Sequence, residues 1–167
     1  LHYSYYGFVD TFIYFHDGNI IFNTLKDNPL HYLQLTFGFN NVTPPADLVP
    51  VIERLGFWDN TGSYFVVRFH ALIRLVSFGF YNVHAVFMAF VSFIGLVALY
   101  KAFLKYYPNR YLWLAIAIFL IPSVLFYGSG LHKEGLLIFG LGLALYHFQG
   151  GLHSQFNWWR ILLILLA

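Results

Sequence analysis

Residues 75–100 read LVSFGFYNVHAVFMAFVSFIGLVALY, 26 residues without a single charge. At 1.5 Å of rise per residue a helix needs roughly 18 to 20 apolar residues to cross hydrocarbon, so this stretch decides the fold class. Two more follow it: 22 uncharged residues separate Arg110 from Lys133, and 25 separate Glu134 from Arg160. The 167-residue chain is 59% hydrophobic and only 10% charged, whereas a soluble domain carries about a quarter charged residues. A conventional water-soluble globule is excluded. The expected fold is all-α: a polytopic transmembrane helical bundle with a large extracytoplasmic loop that contains juxtamembrane helices.

The pattern predicts spans over 82–103, 111–127 and 131–148. Gly95, Ala98 and Ala102 offer the first span small residues for close packing, and Gly140 and Ala144 offer the third a small-xxx-small spacing. Pro122 breaks or kinks the second. Trp158 and Trp159 read as an interfacial belt before 161–167, which reads as the start of a further span. With Leu1 in place of an initiator Met, both ends look cut, and the chain is expected to be part of a longer protein. The chain has no Cys, which excludes a disulfide scaffold and a thiol nucleophile.

Charge is divided along the chain. Residues 1–63 hold six acidic residues (Asp10, Asp17, Asp27, Asp47, Glu53, Asp59) against Lys26 and Arg54, while the remainder holds seven basic residues against Glu134 alone. The acidic part also carries Asp17-Gly18, Asn28-Pro29 and Pro44-Pro45, so it reads as an extramembrane loop region. One short helix is expected near 17–27, capped by the Asp17 side chain and stopped at Asn28-Pro29. In 64–80, Ser63, His70, Arg74, Ser77 and Tyr81 are spaced 7, 4, 3 and 4 and share one helical face. The segment is expected to be an amphipathic juxtamembrane helix lying at the interface, with a full span as the competing reading. Lys101, Lys105 and Arg110 cluster between the first two spans and should face the cytoplasm. The acidic region and the loop before Glu134 then face outward together.

Glu134 stands in Ser129-Gly130-Leu131-His132-Lys133-Glu134 at the start of a span, where an ionisable cluster is a functional hypothesis by default. The plainer reading is a carboxylate stabilising the positive end of a helix. Asp17 has the same ambiguity, as a cap or as a reactive group.

This layout resembles the N-terminal module of the GT-C glycosyltransferases, which use polyprenyl-phosphate sugars and include protein O-mannosyltransferases and the aminoarabinose transferases acting on lipid A. Asp17 matches the acidic residue of that family's first outer loop, 63–80 its second juxtamembrane helix, 101–110 its basic turn, and Pro122-Ser123 followed by Glu134 its return span and second acidic loop. Residues 122–135, PSVLFYGSGLHKEG, are also similar to membrane proteins of bacterial surface-polysaccharide assembly. The chain departs from the family in having Glu134 where Asp is common, and in lacking an adjacent acidic pair after Asp17.

The resemblance implies transfer of a sugar to an envelope acceptor at the outer face of a bacterial inner (cytoplasmic) membrane, with membrane lipid and the lipid-linked sugar as partners. Asp17 and Glu134 become the catalytic candidates, one carboxylate taking the acceptor's proton. Lys133, His132 and Arg74 become the candidates for the donor phosphate. No cofactor is required; carboxylate pairs also bind divalent ions, so a metal is compatible with the site without being implied. Tyr5, Tyr6, Tyr14 and Phe15 are aromatic surfaces suited to stacking on sugars.

Two readings from other classes compete. One is a non-catalytic subunit packed among other membrane subunits. The other is a b-type cytochrome-like subunit, because His70 and His84 are 14 apart and His132 and His147 are 15 apart, a spacing of roughly 21 Å on a helix. The basic residues form no stripe, so nucleic acid is not an expected partner.

Overall fold

The structure, a computed structural model, describes residues 10–38, 43–153, 158–159 and 161–162. The described residues are helical, without strands. They divide into two compact units, Leu1–His84 and Ala85–Ala167.

The first unit contains α1 (Asp10–Asp27), α2 (Pro29–Phe37), the single turn α3 (Val49–Ile52) and α4 (Thr61–Ser77). The region read as a loop is therefore a packed helical body. Helix α1 extends well upstream of the expected 17–27, so Asp17 lies inside it and is not its cap. Its neighbour Gly18 is helical too, and the lack of a side chain there lets α4 approach: a Cβ on Gly18 would lie 2.9 Å from the Cβ of His70. Asn28-Pro29 ends α1 as expected and also starts α2. The Asn28 side chain accepts from the Leu30 amide and Pro29 occupies the first turn, where its missing N–H costs nothing. Helix α2 is pinned to its neighbours by Tyr32, whose hydroxyl donates to the Ala71 carbonyl at 3.2 Å, and by Tyr64, which donates to the Leu35 carbonyl at 2.8 Å.

Helix α4 buries four of the five residues read as one face, Ser63, His70, Arg74 and Ser77; the fifth, Tyr81, lies past its end in the next helix and is exposed. Val66, Val67 and Ile73 are buried as well, and Phe65, Leu75 and Val76 point out. The helix ends at Phe78 (φ 52°) and Gly79 (φ 83°), two successive left-handed residues that reverse the chain into the next helix.

Helix α5 (Tyr81–Leu104) begins in the first unit and continues in the second, which also holds α6 (Tyr111–Phe119), α7 (Pro122–Ser129) and α8 (Lys133–His153). Helix α5 and residues Lys133–Leu152 of α8 are long and apolar enough to cross a membrane. The expected second span is broken: 108–119 and 122–129 meet at a bend of 56°. Pro122 has no N–H to continue the ladder and holds Ile121 extended, which explains the break. Among the described residues two helices thus qualify as spans, or three if the bent pair is one. Helix α4 does not qualify.

Helices α5 and α8 touch backbone to backbone. A Cβ on Gly142 would overlap the Gly95 carbonyl and lie 2.9 Å from the Gly95 Cα. Gly95 was legible as a packing residue; its partner is Gly142, two positions from the Gly140 that the spacing suggested. Trp158 and Trp159 are strongly exposed. Tyr5, Tyr6 and most of 161–167 lie outside the described residues.

Candidate functional site

Asp17 and Arg74 belong to the first unit, and His132, Lys133 and Glu134 to the second.

Asp17 is 1% exposed. Its Oδ2 accepts the Phe57 amide at 3.1 Å, and its Oδ1 lies 3.6 Å from His16 Nδ1. Burial raises the carboxyl pKa above its ordinary value, against the amides of Gly56 and Phe57 and the neighbouring His16, which all favour the charged form. Because the chain between α3 and α4 closes over it, Asp17 ties that segment to α1. In this state it is not offered to an external substrate.

Arg74 is likewise directed inward. Its Nη1 donates to the Phe15 carbonyl at 3.3 Å and its guanidinium lies 4.5 Å from the centre of the Phe15 ring. A donor phosphate would have to displace those contacts.

Between these two residues runs a seam that the sequence signalled only in part. The rings of Tyr14, His70 and His84 form a stack, with centroids 6.2 Å apart for Tyr14 and His70 and 5.3 Å for the two histidines. Tyr14 donates to Ser63 Oγ at 3.3 Å. His84 is held at both nitrogens, Nδ1 by Ser77 Oγ at 2.7 Å and Nε2 against the His70 carbonyl at 3.1 Å. Neither ring nitrogen of His70 has a protein partner. Burial, then the neighbouring His84 and Arg74, push the His70 pKa down to about 3, so it is neutral at ordinary pH. Tyr64, on the same helix, is raised to about 12, chiefly by burial and against the Arg68 charge.

The first histidine pair, which the spacing placed on one helix, lies on two. The reversal at Phe78 and Gly79 folds His84 back onto His70, so the two rings stack with centroids 5.3 Å apart. Both nitrogens of His84 are engaged by protein groups.

In the second unit, the segment Gly130-Leu131-His132 links α7 to α8. Leu131 is fully buried and anchors it. The His132 ring lies against Tyr127 and Phe126, at 5.8 and 6.1 Å, and its carbonyl accepts the Gly135 amide at 3.2 Å as α8 begins. Lys133 is exposed and Glu134 half-exposed in the first turn of α8. An imidazole, a cation and a half-exposed carboxylate are therefore consecutive at the opening of α8, the electropositive end of a helix. Ser92 of α5 is buried beside this link: a Cβ on Gly128 would lie 2.8 Å from its Oγ, and one on Gly135 3.7 Å from its Cβ.

Among the described residues no group of three or more His, Cys, Asp or Glu side chains is placed to hold a metal ion. The pairs present, His16 with Asp17 and His31 with Asp47 at 2.6 Å, supply two donors each, short of the six to eight oxygens that calcium takes or the octahedron magnesium requires. No family model, curated protein or solved structure matches the chain.

Proposed function

We propose that the chain is part of a membrane glycosyltransferase that moves a sugar from a polyprenyl-phosphate donor to an acceptor on the outer face of a bacterial cytoplasmic membrane. The observation that carries the reading is the 129–134 link, where Glu134, Lys133 and His132 gather at the head of a membrane-length helix. In this reading Glu134 takes the proton from the acceptor hydroxyl or amine as its lone pair attacks the anomeric carbon. The bond from that carbon to the phosphate oxygen breaks, and the lipid phosphate leaves with the electron pair. Lys133, His132 and the amides that open α8 stabilise the charge it gains. Glu134 is preferred over Asp17 as the base because it is accessible, and Lys133 with His132 over Arg74 because Arg74 already holds Phe15.

Release of polyprenyl phosphate from the sugar-loaded lipid, measured with the full-length protein in liposomes, tests the reading. Glu134→Gln should lower release by about 10²- to 10⁴-fold without changing the folded yield. Single Cys reporters at Ser129 and Asp47 in the Cys-free chain should both label from outside with an impermeant reagent. If the wild-type protein releases no more polyprenyl phosphate than empty liposomes, the competing reading gains: a non-catalytic subunit, favoured by the enclosure of Asp17 as a structural tie.

A further inference from the structure

The first unit has an apolar core, with Ile20, Ile21, Leu35, Val66, Val67 and Ile73 buried, yet large apolar side chains also lie on its exterior. Asp17, His70, Arg74, Ser77 and His84 are enclosed with that core. On α2 the exposed residues Leu30, Leu33 and Phe37 are spaced 3 and 4 and form one stripe, with Gln34 the polar side chain beside them. On α4, Phe65, Phe69, Leu72 and Val76 are spaced 4, 3 and 4; Phe65 is 62% exposed and Val76 is also exposed. Phe78 is 84% exposed.

The charges follow the same rule. Helix α4 carries two cations, and both are drawn off its outer face: Arg74 to Phe15, and Arg68 to the Gly38 carbonyl and the Tyr64 ring. Helix α2 carries no Lys, Arg, Asp or Glu. The exposed charges of the unit, Asp10, Lys26, Asp27, Asp47, Glu53, Arg54 and Asp59, lie on α1 and on the segments around α3.

We infer that α2 and α4 share a lipid-facing surface, set into the headgroup–acyl boundary, and that the acidic segments around α3 stay in water. Chain continuity selects lipid over a protein partner. In the chain, α4 is followed through the exposed Phe78 and Phe80 by α5, a helix of membrane-crossing length that starts three residues after Phe78. Helix α4 is apolar on both sides, burying Val66, Val67 and Ile73 while exposing Phe65, Leu75 and Val76; in water that second apolar face is unfavourable, and against acyl chains it is favourable. A nine-residue α2 rises only about 13 Å, so it lies in the boundary and does not cross it. The inference goes beyond the amphipathic reading of 64–80, in which the polar face met water. It adds α2, which the sequence places in a loop, and it does not depend on the transferase reading.

The absence of Cys makes the test direct. Nitroxide labels are placed singly at Leu33→Cys, Phe65→Cys and Phe78→Cys, and at Asp47→Cys and Glu53→Cys as controls, in the full-length protein reconstituted into phosphatidylethanolamine–phosphatidylglycerol liposomes. Collision with apolar oxygen and with a water-soluble nickel complex is then measured. The oxygen-to-nickel ratio at the first three sites should exceed that at the two controls several-fold. Equal ratios at all five sites place the surface in water and overturn the inference. Exclusion of both reagents from the first three sites means that protein covers them, and overturns it equally. Because each of the first three positions is at least half-exposed, the labels do not disturb a packed interior.

Discussion

Helices α1 and α4 approach each other through rings and polar groups, with Tyr14, His70 and His84 stacked along the seam, whereas α5 and α8 meet at two bare glycines. The difference lies in what each contact can tolerate. A backbone-to-backbone contact has no side chain that can move aside, so it is sensitive to volume and indifferent to pH. A seam that contains a neutral, unpartnered imidazole is sensitive to protons.

Acid gives the largest expected separation between the two. The folded pKa of His70, about 3, lies below its unfolded value of 6.5, so the unfolded chain takes up the proton first. The stabilisation is complete above 6.5 and declines as the pH falls toward 3, by about 1.4 kcal/mol per pH unit. Thermal denaturation in detergent between pH 7 and 4.5, followed for each unit by its own label, should show the first unit weakening before the second. His70→Leu should flatten the first unit's profile; an unchanged slope in that variant would place the acid sensitivity elsewhere. Asp17 acts in the opposite sense, since its pKa is raised, and partly offsets the His70 slope at the acid end.

Gly142→Ala tests the other contact. Its methyl meets the Gly95 carbonyl, and the expected loss is about 1 to 3 kcal/mol at any pH, read as a lower denaturation temperature for the second unit. If the variant is as stable as wild type, α5 and α8 do not depend on the Gly95–Gly142 approach for their packing.

Asp17→Ala leaves the Phe57 amide, and with it Gly56, without its acceptor, and should cost the first unit about 1 to 2 kcal/mol. Asp17→Asn keeps an acceptor and removes a buried charge, so at pH 8 it should be more stable than Asp17→Ala. The order of the two denaturation temperatures checks this. The smallest stability effect is expected from Glu134→Gln. The half-exposed carboxylate at the start of α8 contributes roughly 0.3 to 1 kcal/mol through the helix end, so a large loss of transfer with so small a shift would mark a chemical role.

The membrane-length helices were legible because they depend on something a sequence states outright, the absence of charge over 20 or more residues. The first unit was legible only in its periods. The spacing of Ser63, His70, Arg74 and Ser77 identified one face of α4 correctly, but a period does not say whether that face meets water or another helix. Only the packing of α1 against it decides that. Asp17-Gly18 carries the chemistry of a helix start and sits mid-helix, because the small residue serves the close approach of His70. Asn28-Pro29 was read as a stop and is also a start, since an Asn cap followed by Pro serves both. At the candidate site, Glu134 and its neighbours stood out by their isolation in an uncharged tract. The spacing of His70 and His84 also stood out, but their stacking did not, because it depends on the turn at Phe78 and Gly79 that brings the two rings together.

The inward course of the two arginines of α4 bears on biosynthesis. Their receiving groups, the Phe15 and Gly38 carbonyls, both lie earlier in the chain. A ribosome makes α1 and α2 before α4, so each guanidinium emerges with its acceptor already synthesised and need not wait in lipid for one. The same helices joined in the reverse order would deliver two unpaired cations to the membrane first. Chain order in this unit is thus itself part of how the protein can be inserted.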